Sequence, residues 1–296
     1  MSTCESPCPN ARTIFHTAVE IVENVPVAER TCRIRIRAPE IAGRVQPGQF
    51  VMLRLAEGDD PLLGRPFGVY RAEASGMIDL VYLVVGKMTG RLAKLGPGAA
   101  LTVWGPLGNG WDVSPEELAK YDHFVLVAGG IGQTPLYMPV SRCRNSAMTT
   151  TTAAAGATAT TTVDPPRWTL LYGAQTASRI SCIDDFRALG VDVRLATDDG
   201  STGYQGYVSD LIPGVVASNN VARTKILACG PQPMLHAVFR EAERLGVACA
   251  VSLESNMSCG LGICYGCVVE YRDGDTWDYR RTCVDGPVFD AYRLRW

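Results

Sequence analysis

The chain has 296 residues, 47% of them hydrophobic and 20% charged, with a formal net charge of −2. That composition suits a globular protein with a sizeable core, and the length suits two domains with room for a small third module. A near-neutral balance gives no electrostatic footing for nucleic acid or an anionic membrane, and no apolar run approaches the ~18 residues that would span a bilayer.

The opening "MSTCESPCPNARTIF" lacks the basic and apolar regions of a secretory signal, so the expected compartment is the cytoplasm. Residues 1–12 read as a tail. From residue 13 to 111 the pattern is that of a small antiparallel β-barrel. "TCRIRIRAP" alternates strictly, and "QFVMLRL", "GVYRAE", "IDLVYLVVG" and "ALTVWGP" follow with Gly and Pro between them. Residues 112–246 change rhythm. "HFVLVAGG" is a buried strand ending in glycines, "WTLLYGA", "VDVRLATDDG" and "TKILACG" are further strands, and "PQPMLHAVFREAERLG" is an amphipathic helix. Alternation of strands and helices predicts an α/β domain with a parallel sheet covered on both faces. Within it, residues 145–166 form a Thr/Ala tract too poor in large apolar groups to build a core, and are expected to be a disordered surface insertion. Residues 247–296 read as a small C-terminal module.

Eleven cysteines is a high count, but the number is odd and the chain is too long for a small disulfide scaffold. Cys4, Cys8, Cys32, Cys143, Cys182, Cys229 and Cys249 are scattered and read as small buried hydrophobes. Cys259, Cys264, Cys267 and Cys283 are different. Three fall within ten residues in "SCGLGICYGC" with C-x4-C-x2-C spacing, and the fourth follows after fifteen residues in "RRTCVDGP". That is the plant-type order for a [2Fe–2S] cluster, and Gly260, Gly262 and Gly266 let backbone N–H groups approach the sulfurs. The competing reading is structural zinc, which usually takes two similar C-x2-C knuckles, and only one is present.

A one-electron carrier needs an exchange partner. Gly129 and Gly130 in "VLVAGGIGQTPL" and Cys229, Gly230 and Pro231 in "LACGPQPML" each close a strand and open a helix, a geometry suited to a pyrophosphate. A ligand-free strand–helix turn fits either motif alone. In the barrel, Arg65 beside Phe67 in "GRPFGVY" suggests a phosphate or flavin contact, and Gly86, Lys87 and Thr89 a phosphate-touching turn; a surface arginine and a plain β-turn fit as well.

Taken in order, the R-P-x-x motif, the G-x-x-T turn, "GPLGNGW", "GGIGQTPL", "CGPQPML", the cysteine loop and "CVDGPVF" resemble the electron transfer subunits of type B dihydroorotate dehydrogenase, within the ferredoxin–NADP reductase-like superfamily. The resemblance covers nearly the whole chain apart from the tail and the Thr/Ala tract. It implies FAD in the barrel against Arg65, Pro66, Phe67 and Gly68, with further contacts from Val81, Tyr82, Leu83, Met88 and Thr89. It also implies a cluster on Cys259, Cys264, Cys267 and Cys283, and NAD at Gly129, Gly130, Cys229, Gly230 and Pro231. Three positions depart from the family: Gly68 stands where Ser is usual, Leu83 where Arg is usual, and Met88 where Gly is usual. Loss of a cationic phosphate partner and of a close-approach glycine is expected to weaken FAD binding unless another residue substitutes.

The implied activity is electron transfer between NAD and a partner, an FMN-containing dihydroorotate dehydrogenase catalytic subunit, in a heterotetramer with two copies of each. No acid–base residue is required within this chain, and His16, His123 and His236 are scattered. Two other readings stand beside this one. The first is an NAD(P)H-linked flavin and iron–sulfur reductase subunit serving ferredoxin, sulfur or a hydrogenase. The second is a zinc-stapled binding module without flavin.

Overall fold

The computed structural model describes residues 14–58, 60–145, 149–154, 157–162 and 165–296. The tail over 1–12, with Cys4 and Cys8, lies outside them. Six strands, β1 (Phe15–Ala28), β2 (Thr31–Arg37), β3 (Phe50–Leu55), β4 (Arg65–Ala72), β5 (Met77–Leu83) and β6 (Ala100–Leu107), close a barrel in the order β1-β2-β5-β4-β3-β6. Two short helices, α1 (Pro39–Ala42) and α2 (Lys87–Leu92), decorate it. The period-2 rule explains the closure: Ile34 and Ile36 of β2 point inward with Leu80 and Val103, and Arg33 and Arg35 point outward. Arg35 lies opposite Asp79 and grips it with two hydrogen bonds of 2.6 and 2.7 Å; Asp79 is only 1% exposed.

After α3 (Pro115–Leu118) the α/β domain begins with β7 (His123–Gly129) and α4 (Thr134–Asn145). Over the described part of the Thr/Ala tract, β8 (Thr149–Ala154) and β9 (Ala157–Thr162) pair as an antiparallel ladder. A run of β-branched threonines favours extended backbone even where it cannot build a core. Next come β10 (Arg167–Ala174), α5 (Ile183–Ala188), β11 (Asp192–Thr197), β12 (Tyr204–Gln205), α6 (Ile212–Ala217), β13 (Thr224–Cys229) and α7 (Gln232–Leu245). Alternate residues of β7 serve opposite faces. Val125 and Val127 pack with α6 and α7, while Phe124, Leu126 and Ala128 pack with α4 and α5. That is the two-sided burial expected of a parallel sheet.

The boundary expected at residue 247 does not hold as drawn. β14 (Ala248–Ser252) pairs in parallel with β13, and β17 (Val288–Asp290) adds antiparallel to β14, so the sheet runs β12-β11-β10-β7-β13-β14-β17. The crossover through α7 puts Ala248–Ser252 into the nucleotide domain's own sheet. The cysteine segment is an excursion between these two strands, with its own hairpin of β15 (Val268–Asp273) and β16 (Thr276–Arg281).

Candidate cofactor cavity and cysteine loop

A cavity of about 790 Å³ opens where the barrel, the α/β sheet and the cysteine segment meet. One wall is Arg65–Gly68 from β4, Val81–Leu83 from β5 and the turn from Val85 to Thr89. Facing it are Thr134 and Pro135 at the start of α4 and Cys229 at the end of β13. Residues Ser252–Met257 and Pro287 close the end nearest the cysteines. The barrel positions expected to hold flavin are therefore all on one surface, brought there by adjacent antiparallel strands.

Their side chains are held in different ways. The Arg65 guanidinium donates to the carbonyls of Leu63 and Gly64 at 2.9 and 3.0 Å. Tyr82 donates to Asn24 Oδ1 at 3.0 Å and meets Phe67 edge-on, with ring centroids 5.9 Å apart. The Thr89 hydroxyl accepts from the backbone N–H groups of Val85 and Gly86 at 3.0 and 3.2 Å, so it shapes the turn from within. Met88 is 4% exposed and packs into the barrel core; its side chain fills apolar space under the turn. Lys87, on the same wall and ion-paired with Asp60, supplies a cation in the region where Leu83 lacks one.

At the other side, the two glycine motifs pack on each other. A Cβ on Gly129 would lie 2.5 Å from Met234 Sδ and 2.9 Å from Pro231 Cδ, and one on Gly132 would lie 2.1 Å from the Cys229 carbonyl oxygen. Only glycine permits this approach of β7 and β13 ends. Cys229 reaches the cavity wall, whereas Gly129, Gly130, Gly230 and Pro231 form the strand ends beside it.

Sequence reasoning missed Glu254 and Thr134, both on the cavity wall. Glu254 follows β14, and burial raises its carboxyl above the usual range; burial, then the nearby Glu254, also pushes the Cys229 thiol well up. An acidic residue just past a buried strand in "VSLES" was the available signal. Thr134 sits inside "GGIGQTPL", where the sequence alone draws attention only to the backbone of the glycine turn.

The four cysteines form two pairs. Cys259 and Cys264 sulfurs are 3.4 Å apart, and those of Cys267 and Cys283 are 3.3 Å apart. Two thiolates at about 2.3 Å from one tetrahedral metal lie roughly 3.7 Å apart, so each pair fits one metal ion of a binuclear centre. Burial raises the Cys259 thiol, but the backbone N–H groups of Cys264, Leu261 and Ile263 outweigh it and bring the pKa to about 7. Burial, then the neighbouring Cys267, pushes Cys283 to about 12. The loop is closely seated. Gly260 has φ +71°, and a Cβ there would lie 2.6 Å from Met52 Cγ; a Cβ on Gly262 would lie 2.6 Å from Val284 Cγ2.

Barrel and cysteine segment share one apolar cluster, in which Phe50, Met52, Leu107 and Met257 surround Cys267 and Cys283. Phe50 and Met257 also line the cavity. Trp104 Nε1 donates to the Cys259 carbonyl at 3.1 Å, and Asn109 of "GPLGNGW" bonds to the backbone of "CVDGPVF". Two of the motifs that carry the resemblance are thus joined in space.

Residues 254–295 match the iron–sulfur cluster binding domain of dihydroorotate dehydrogenase B, and residues 126–240 match the oxidoreductase NAD-binding domain. A dihydroorotate dehydrogenase B (NAD(+)) electron transfer subunit from Fusobacterium nucleatum is 32% identical over 92% of this chain and 95% of its own length; one from Geobacillus kaustophilus is 35% identical over 90% and 93%. The chain belongs to the family of dihydroorotate dehydrogenase B electron transfer subunits. A solved structure of an NADH-dependent reduced ferredoxin-NADP oxidoreductase is similar at a TM-score of 0.76 and 29% identity, covering 94% of this chain and 90% of that one. A ferredoxin NADP+ reductase from Neisseria gonorrhoeae, at 17% identity and TM-score 0.60 over 78% of this chain and 92% of that one, shares the fold. As a dihydroorotate dehydrogenase B electron transfer subunit, the chain is an oxidoreductase component that works with FAD, a [2Fe–2S] cluster and NAD in pyrimidine biosynthesis. The zinc-stapled reading is thereby corrected: the matched domain is an iron–sulfur one. Among the described residues, no helix is long and apolar enough to cross a membrane.

Proposed function

We propose that the cavity holds FAD along Arg65–Gly68, Val81–Leu83 and the turn at Met88 and Thr89, with the nicotinamide nucleotide entering past Gly129, Gly130 and the Cys229–Pro231 turn. Cys259, Cys264, Cys267 and Cys283 hold the cluster. In domain terms, residues 13–111 serve flavin, the sheet from 112 serves NAD, and the excursion between β14 and β17 serves the cluster. The shared apolar wall carries this reading: Phe50 and Met257 belong both to the cavity and to the cluster of side chains around Cys267 and Cys283. Electrons would cross there through packed, water-free contact.

Bound FAD supplies the exchange between hydride transfer and single-electron transfer. The chain's part is placement. Phe67 and Tyr82 give an apolar face and edge, Arg65 and Lys87 supply cations for phosphates, and the Glu254 carboxyl and Cys229 thiol, both raised by desolvation, stand where a nicotinamide would approach.

The partner is an FMN-containing dihydroorotate dehydrogenase catalytic subunit, two copies of each chain forming a heterotetramer. Around the exposed Cys264 stand Ile263, 75% exposed, and Tyr265, 63% exposed, with Leu261 and Tyr279 beside them, a surface whose apolar groups favour a protein partner over solvent. The ferredoxin reading retains one supporting observation, the likeness to the ferredoxin-NADP oxidoreductase. Anaerobic purification with each candidate partner tests the choice. Flavin and cluster absorption that bleach with NADH, and recover on adding the catalytic subunit with orotate, support the proposal. Recovery only with ferredoxin overturns the partner assignment.

A further inference from the structure

Among the hydroxyl-bearing residues that line the cavity, nearly all have an internal partner. Tyr82 bonds to Asn24, Thr89 caps its own turn, Ser255 bonds to Thr282 at 2.7 Å, and Ser252 lies against the Cys229 thiol. Thr134 differs. It is 3% exposed, and its Oγ1 is buried with no hydrogen-bond partner among the described residues. A buried hydroxyl left unpaired is a cost to the fold, and native proteins rarely carry one without a ligand or water to satisfy it.

Its position says what that ligand edge faces. Thr134 opens α4 immediately after the glycine turn and lines the cavity close to Gly68. A Cβ on Gly68 would lie 3.7 Å from Thr134 Cγ2 and 3.9 Å from Pro135 Cδ, ordinary van der Waals separations. The two residues therefore flank one narrow part of the cavity, and Gly68 offers it no polar side-chain atom.

We infer that Thr134 supplies the hydroxyl that meets the polar edge of the flavin ring, in place of the side chain that Gly68 lacks. This deepens the flavin reading of the cavity and rests on it. A hydroxyl suits that edge because it both donates and accepts. The ring nitrogen it meets is an acceptor when the flavin is oxidised and an N–H donor when it is reduced, so one rotatable O–H satisfies both states without movement of the backbone.

The test uses the full-length protein stripped of flavin, titrated with FAD by fluorescence, with the absorption spectrum of the bound flavin and the melting temperature of the apoprotein recorded for each variant. Thr134→Val keeps the shape and removes the hydroxyl. It should weaken FAD binding several-fold, up to about tenfold, and shift the flavin band, as expected for loss of one neutral hydrogen bond. The apoprotein should melt at the same temperature or higher, because the lost group had no partner. Thr134→Ser should behave as wild type. Gly68→Ser, for which the cavity has room, should restore affinity in the Thr134→Val background. An unchanged affinity and band in Thr134→Val, or an apoprotein destabilised to the same degree as binding is weakened, overturns the inference. A wild-type chain that binds no FAD overturns the flavin reading itself, and the inference falls with it.

Discussion

Asn109 and Val288 bond reciprocally: Asn109 Nδ2 donates to the Val288 carbonyl at 2.8 Å, and the Val288 N–H donates to Asn109 Oδ1 at 2.9 Å. The same amide also donates to the Asp285 carbonyl at 3.0 Å. One barrel side chain thus fixes the path of the chain immediately after Cys283, as a backbone strand would.

Asn109→Ala removes three hydrogen bonds and leaves two carbonyls and one N–H without partners in a half-buried seam. The expected cost is about 2–4 kcal/mol by urea denaturation. Iron content of the purified variant should fall further than flavin content, because the seam anchors the cysteine segment to the barrel. Equal loss of both cofactors would contradict that local role.

Gly260 and Gly266 should respond differently to the same change. Gly260→Ala places a methyl against buried Met52 at a backbone of φ +71°, with an expected cost of about 1–3 kcal/mol and poor cluster loading. A Cβ on Gly266 meets nothing closer than Cys264 Sγ at 3.7 Å, so Gly266→Ala should retain iron and stability. Iron analysis and thermal melting of both variants check this.

In the barrel, Arg35→Ala leaves the Asp79 carboxylate buried beside no cation, since Arg35 is its ion-pair partner. We expect a loss of about 3 kcal/mol, and a smaller loss in the Arg35→Leu, Asp79→Leu double variant, where no charge remains to be buried. A double variant less stable than Arg35→Ala would show that the pair stabilises the barrel beyond compensating its own burial.

His123, at the opposite end of β7 from the cavity, gives a pH dependence. Burial first, then Arg167 and Arg194, lower its pKa to about 4, and its Nε2 lies 2.9 Å from Thr169 Oγ1. The unfolded chain takes up a proton near pH 6.5 and the folded chain only near pH 4, so this contribution is complete above pH 6.5 and declines as the pH falls between those values. The decline should amount to about 2 kcal/mol. Urea midpoints at pH 7 and pH 4.5 should converge in His123→Gln relative to wild type.

What is legible in the sequence follows local chemistry. The close spacing of Cys259, Cys264 and Cys267 is a property of one loop, and the barrel strands announce themselves by alternation, as at Ile34 and Ile36. Ala248–Ser252 falls on the wrong side of the expected boundary because a short strand carries no mark of which sheet it joins; its pairing with β13 depends on the α7 crossover. Met88 reads as a disturbed phosphate contact because a family position says nothing about which way a side chain turns, and this one turns into the core. The Asn109–Val288 bonds join positions 179 residues apart, in two motifs whose contact with each other has no sequence signal. Thr134 escapes a sequence reading because its hydroxyl is buried without a partner, and Glu254 because its carboxyl is desolvated by the groups around it, which only packing creates.

β17 is three residues long and covers the outer edge of β14, whose other edge is taken by β13. An uncovered strand edge is a template for pairing with another chain. The patch that guards this edge hangs on the return of the chain from Cys283, through the seam held by Asn109. The same anchorage therefore holds the cysteine segment to the barrel and keeps this strand edge covered. A chain whose cysteine segment detaches would also bare the edge of β14, a template for pairing with another chain.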